Sequence, residues 1–188
     1  VPFIVVYDAC VLHPAPLRDL LVRLGHTGLC QVKWSRRILD ECFHGILRHR
    51  PDLTSEQLAS SRKRLEEAIF DVEVTGYEEF IEGITGLPDP SDRHVVAAAV
   101  RCGAQVIVTS NLKDFPKRVL ARYGMEAQSP DDFVLDLIDL NEGAVLQVIR
   151  AQAAVLKNPP KRPSNVLDSL HHNGLVRSVA RLRELLDG

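Results

Sequence analysis

Residues 2–10, PFIVVYDAC, form an almost unbroken apolar run that ends on an acid, Asp8. Without polar alternation, such a run has the pattern of a strand covered on both faces, and strands of that kind belong to parallel sheets flanked by helices. The segment is therefore expected to be a central parallel strand. The chain that follows alternates in kind. APLRDLLVRLGH (15–26) has helical spacing, LCQVKW (29–34) reads as a second strand, and Ser35 leads into RRILDECFHGILRHR (36–50), a helix with Ile38, Leu39, Cys42, Phe43, Ile46 and Leu47 on one broad apolar side. TSEQLASSRKRLEEAIF (54–70) is an amphipathic helix opened by Thr54 or Ser55, and DVEVTG (71–76) is a third strand candidate. A helix from Pro90 to about Gly103, a strand in AQVIVTSN (104–111) and a short strand in MEAQ (125–128) complete the alternation. This order predicts an α/β/α sandwich around a mainly parallel sheet of four or five strands.

From Ser129 onward no further strand is expected. SPDDFVLDLIDLNEGAVLQVIRAQAAVL (129–156) is one long helix or two shorter ones, and KNPPKRPS (157–164) is a proline-rich, basic connection. NVLDSLHHNGLVRSVARLRELL (165–186) is helical again, interrupted at Asn173 and Gly174. The expected organisation is a domain over 1–135 and a helical C-terminal extension over 136–188. In that extension Leu167, Leu170, Val176, Val179, Leu182 and Leu185 form a stripe that should be buried against another surface.

At 188 residues and 45% hydrophobic, the chain can bury one good core with a small appended unit. A formal net charge of −2 excludes a global basic field, so any polyanion must be met by local patches. Cys10, Cys30, Cys42 and Cys102 are irregularly spaced in apolar contexts, the usage of reduced core thiols in a cytoplasmic protein, although Cys10 stands close enough to Asp8 for a catalytic thiol to be the alternative. Neither a signal peptide nor a run near the ~20 apolar residues of a membrane span is expected.

The acids fall in a pattern. In an open α/β sheet ligands bind beyond the carboxyl ends of the strands. Asp8 ends the first strand, Asp92 begins the helix leading to the fourth, and Asn111 and Asp114 follow that strand in VTSNLKDF. Glu41, beside Ile38 and Cys42, borders the apolar side of its helix, with an i,i+4 pair to Arg37 as the ordinary alternative. Asp89 reads as an N-cap and Pro90 as the first helical residue, which leaves Asp92 for another role. Carboxylates gathered at ~4 Å repel by roughly 4 kcal/mol per pair at an effective dielectric constant of 20, against a domain stability of ~5–15 kcal/mol. Such a cluster needs protons, bases or a hard divalent cation, and oxygen ligands select Mg²⁺ or Mn²⁺.

VVYDACVL, SRRILDECFHGI and DPSDRHVVAAAVRCGAQVIVTSNLKDFP together resemble the PIN-domain nucleases, and within them the ribonuclease toxins of the VapC type, over about residues 2–135. The resemblance implies a metal-dependent endoribonuclease in which Asp8, Glu41, Asp92 and Asp114 hold one or two Mg²⁺ or Mn²⁺ ions, with Asn111 as an alternative occupant of the fourth position. It also implies an RNA substrate and a cognate antitoxin that covers the acidic site. A homodimer is a further expectation. Thr109 or Ser110 could orient an acid or a water, with a purely structural threonine as the alternative. Lys113 and Lys117, next to Asp114, and Arg37 are the candidate RNA contacts, while His94, close to its helix start, could face substrate, with a surface position as the expected alternative. The competing reading is a non-catalytic PIN-like module that binds RNA or protein. A phosphohydrolase of the haloacid dehalogenase type lacks support, because DAC does not supply its second aspartate and no phosphate-cradling glycine loop is present.

Overall fold

The computed structural model describes residues 2–188. Strand β1 (Phe3–Tyr7) is the interior strand the apolar run predicts: it pairs in parallel with β2 (Cys30–Lys33) on one side and β3 (Val106–Val108) on the other, and β3 pairs in parallel with β4 (Glu126–Gln128). The sheet order is β2-β1-β3-β4. All four strands therefore point their carboxyl ends to the same edge, and the connections between them place helices on the faces.

The first connection is α1 (Ala9–Leu12) and α2 (Ala15–Leu24). After β2, Ser35 caps α3 (Arg36–His49) by accepting the Ile38 N–H at 3.2 Å. Thr54 and Gln57 close a capping box on α4 (Ser55–Ala68). A single 3₁₀ turn, Pro90–Asp92, leads into α5 (Arg93–Cys102), which ends at Gly103 with φ +70, a left-handed position that glycine takes without strain. A short α6 (Lys117–Leu120) precedes β4.

DVEVTG forms no strand of its own. Trp34 donates to Val72 O at 3.1 Å and accepts from Val74 N at 2.8 Å, a single parallel bridge with Glu73. The backbone is left-handed on both sides of it, at Asp71 (φ 54) and Gly76 (φ 71), so extended pairing cannot propagate.

The C-terminal region comprises α7 (Pro130–Leu140), α8 (Glu142–Ala154), α9 (Pro163–His172) and α10 (Val176–Asp187). The first long stretch is thus two helices, divided at Asn141, whose side chain accepts the Ala144 N–H at 3.0 Å and caps α8. Phe133 of α7 meets the Phe3 and Tyr7 rings edge-on at centroid distances of 6.3 and 5.9 Å, seating the helix on β1. α8 packs on α2, α9 on α8 and α2, and α10 on α7 and α9. The predicted stripe is buried at Leu167, Leu170, Val179 and Leu182 and partly at Leu185, but Val176 is 52% exposed. It is the first residue of α10, and Leu175 before it is the one that turns inward. The start of α10 is capped from outside: Asp131 accepts the N–H groups of Arg177 and Ser178 at 3.0 and 2.8 Å, and the Ser178 hydroxyl donates to Asp131 O at 2.8 Å.

Leu170 is fully buried between these helices. Leu170→Ala is expected to lower unfolding free energy by about 2–5 kcal/mol in a urea titration. An unchanged midpoint would mean that α9 contributes nothing to the core.

Candidate active site

Asp8 stands where β1 ends, and its backbone N–H still donates across the sheet to Val108 O at 3.0 Å. Its carboxylate is buried and held by three donors. Oδ1 accepts the Ala9 N–H at 2.8 Å, while Oδ2 accepts the Thr109 hydroxyl at 2.8 Å and the Cys10 thiol at 3.4 Å. Thr109, itself fully buried after β3, also accepts the Asn111 N–H at 3.1 Å. One hydroxyl thus ties the acid after β1 to the loop after β3. Burial pushes the Asp8 carboxyl above its ordinary value, the donors pull it back, and Glu41 adds to the rise.

The two neighbouring aspartates divide as their spacing suggests. Asp89 Oδ1 accepts the Ser91 N–H at 2.8 Å and serves as the cap. Asp92, at the junction of the 3₁₀ turn with α5, makes no capping bond. Partial burial, then the charges of Asp8, Asp89, Asp114 and Glu41, push its pKa up to about 6. Asp114 ends a 3₁₀ turn, Leu112–Asp114, that Asn111 begins. The four acids come from four separated parts of the chain and share one electrostatic neighbourhood.

Glu41 lies in the second turn of α3. Its Oε1 is 2.8 Å from His94 Nε2 and 3.8 Å from Arg37 Nε, so the expected i,i+4 pair exists alongside an inward contact. His94 was expected at the surface and is instead 1% exposed. Residues 94–99 of α5 are all buried, because this helix is packed on β1, β3 and the 78–83 segment, and position 94 falls on the side that meets α3. Neither ring nitrogen of His94 has a partner in hydrogen-bond alignment. His13 is a second residue that the sequence reading passed over. Its ring lies against the backbone of α3 at Gly45, where a Cβ would come within 2.4 Å of Cε1 and Nε2. Burial holds its pKa below the usual imidazole value. No periodicity marks either histidine; the signal available was the absence of a side chain at Gly45.

The Cys10 thiol is pushed up to about 11, by burial first and then by Asp8, so it stays protonated near neutral pH, and a thiolate nucleophile has no support. All four cysteines are free. Among the described residues, no three His, Cys, Asp or Glu side chains gather as tightly as a formed metal centre would hold them. Like charges without a neutralising partner keep apart. Of the candidate RNA contacts, Arg37 faces Glu41, whereas Lys113 and Lys117 are exposed and take part in no ion pair among the described residues.

A four-stranded parallel sheet with acids at its carboxyl edge, on these motifs, defines a family. The PIN-domain profile matches residues 4–113, more than half of the chain, and the chain belongs to the PIN-domain family. A second profile, the VapC50 C-terminal domain, matches residues 130–184, the four-helix C-terminal region. The chain is 45% identical over 95 residues to a protein of Mycobacterium tuberculosis (strain ATCC 25618 / H37Rv) named "Putative ribonuclease VapC50". That alignment covers 50% of this chain and 55% of the relative, so the chain spans about half the length of the curated relative it matches. No solved structure matches it.

The raised pKa of Asp92 has a measurable sign. Between the ordinary aspartate value and about 6, the folded chain binds more protons at this site than the unfolded chain, so stability falls as pH rises through that window and is level above it. In EDTA, Asp92→Asn is expected to melt above the wild type at pH 7.5, with the difference shrinking by pH 5. A variant that melts lower at both pH values would show that the charge of Asp92 stabilises the fold.

Proposed function

We propose that this chain is a divalent-metal-dependent endoribonuclease that hydrolyses RNA phosphodiester bonds, and that it is the toxin of a toxin–antitoxin pair. The observation that carries the reading is the state of Asp92: partial burial first, and then the charges of Asp8, Asp89, Asp114 and Glu41, push its pKa up to about 6. An arrangement that lowers stability in this way is retained where something binds it. The family membership and the name of the mycobacterial relative favour the same reading.

The donor set suits Mg²⁺ or Mn²⁺. Asp8, Glu41, Asp92 and Asp114 offer only carboxylate oxygens, and Asn111 offers a neutral amide oxygen at the start of the same turn as Asp114. These residues would hold the ion or ions. When bound, a divalent cation supplies Lewis-acid polarisation of the phosphodiester and makes a water more acidic. The chain supplies the rest. Thr109, Ala9 and Cys10 fix both oxygens of Asp8, so this acid needs no reorganisation on binding. Asp92, lacking a capping bond, keeps its lone pairs for the ligand. Lys113 and Lys117 present unpaired positive charge beside Asp114, where an RNA backbone would need to be attracted against the net charge of −2. The protein partner of this reading is an antitoxin that covers the acids, and four free thiols suit a cytoplasmic setting.

The test is cleavage of a mixed structured RNA by the purified chain in Mg²⁺ or Mn²⁺. EDTA should abolish cleavage, and Asp92→Asn should lower it by at least ~100-fold, the upper reach of removing a supporting residue from a metal site. Equal activity in the variant would return Asp92 to a structural role. Inactivity of the wild type on every RNA would favour the non-catalytic binding module. Replacing Lys113 and Lys117 by alanine should weaken RNA binding and make its dependence on log salt shallower by about 1–2, as expected for two lost phosphate contacts.

A further inference from the structure

Of the four acids, Glu41 is the one the fold leaves loose. Asp8 is fixed by three donors, and Asp92 and Asp114 have short side chains at the ends of 3₁₀ turns. Glu41 projects from the body of α3 on a long side chain that is 42% exposed, and holding such a chain in one rotamer costs conformational entropy. Its half-exposed neighbour Arg37 lies 3.8 Å from the same oxygen and competes for it.

We propose that His94 is the positioning residue that holds Glu41 toward the acidic edge, with its Nε2–H directed at Glu41 Oε1. This inference rests on the nuclease reading for its purpose, but not for its geometry. The imidazole is fully enclosed, and its Nε2 is 2.8 Å from Oε1. Nδ1 has no partner of any kind, so a proton placed there would be a buried donor with nothing to accept it. A proton on Nε2 has a carboxylate beside it. The N–H in the free chain is off the hydrogen-bonding line, and Glu41, being half-exposed, has the freedom to rotate into alignment without disturbing α3 or α5. A buried histidine that orients an acid from behind acts as outer-shell partners of metal sites do, and loss of such a partner lowers metal affinity by about 10–100-fold.

The experiment has two readouts. In the metal-free chain, long-range ¹⁵N–¹H spectra of His94 should show the Nε2–H tautomer, and the Nε2 resonance should move in Glu41→Gln. In a titration with MnCl₂ followed by calorimetry, His94→Leu, which keeps the bulk and removes the donor, should bind at least ~10-fold more weakly than wild type, and His94→Gln, whose amide can reach the same oxygen, should stay within about threefold. Asp92→Asn is the control that should lose the Mn²⁺ response altogether. An Nδ1–H tautomer, or wild-type Mn²⁺ affinity in His94→Leu, would overturn the proposal. If His94→Leu fails to fold, His94→Gln and the tautomer decide. A wild-type chain with no Mn²⁺ response would sink the metal reading, and the tautomer with its response to Glu41→Gln would then decide this proposal alone.

Discussion

The hydrogen bond from Thr109 to Asp8 is the constraint on which the rest of the acidic edge depends. It joins the residue after β1 to the residue after β3, and these two strands are direct neighbours in the sheet. A carboxylate at the end of a strand buried on both faces would be costly without partners. Three donors make it tolerable, and they also fix its direction. The placement of the remaining acids then follows from topology. The turn before α5 and the turn after β3 both open toward the same edge, and α3 leaves β2 beside it, so topology brings the backbone positions of Asp92, Asp114 and Glu41 to the side of the sheet where Asp8 stands.

What the sequence made legible followed from strong local signals. The unbroken apolar run of residues 3–7 identified the interior strand, and the capping chemistry of Asp89-Pro90 separated a structural aspartate from a free one. The break at Asn173 and Gly174 was likewise readable, because a glycine at φ +93 leaves a mark in composition, whereas residues 129–156 stayed open between one helix and two until the Asn141 cap divided them. The failures share a cause. DVEVTG has the composition of a strand, but the left-handed residues on either side of it are a tertiary outcome. His94 looks like a surface residue because histidine is compatible with one, and only the packing of α5 on β1, β3 and the 78–83 segment, with Glu41 beside the ring, encloses it. Val176 and Leu175 differ by one position, and a helix start is the place where period counting is least able to choose between neighbours.

The acidic edge also illustrates a division of labour within one site. Asp8 is rigid and enclosed, Asp92 is partly buried and poised near the physiological range, and Glu41 is long and adaptable. Groups of the same chemical type thus present different proton affinities and different freedom of movement, set by burial and partners rather than by residue identity.

The cap of α10 by Asp131 has a consequence for the order in which the molecule opens. A C-terminal helix ordinarily frays first, since its early amides have no partners. Here the amides of Arg177 and Ser178 are sealed by a residue of α7, a helix that is itself seated on β1 through Phe133. The last helix of the chain is thereby coupled to the central strand, and releasing it requires loosening the body of the fold as well as its end. The two regions that separate family profiles recognise, 4–113 and 130–184, are joined through that linkage.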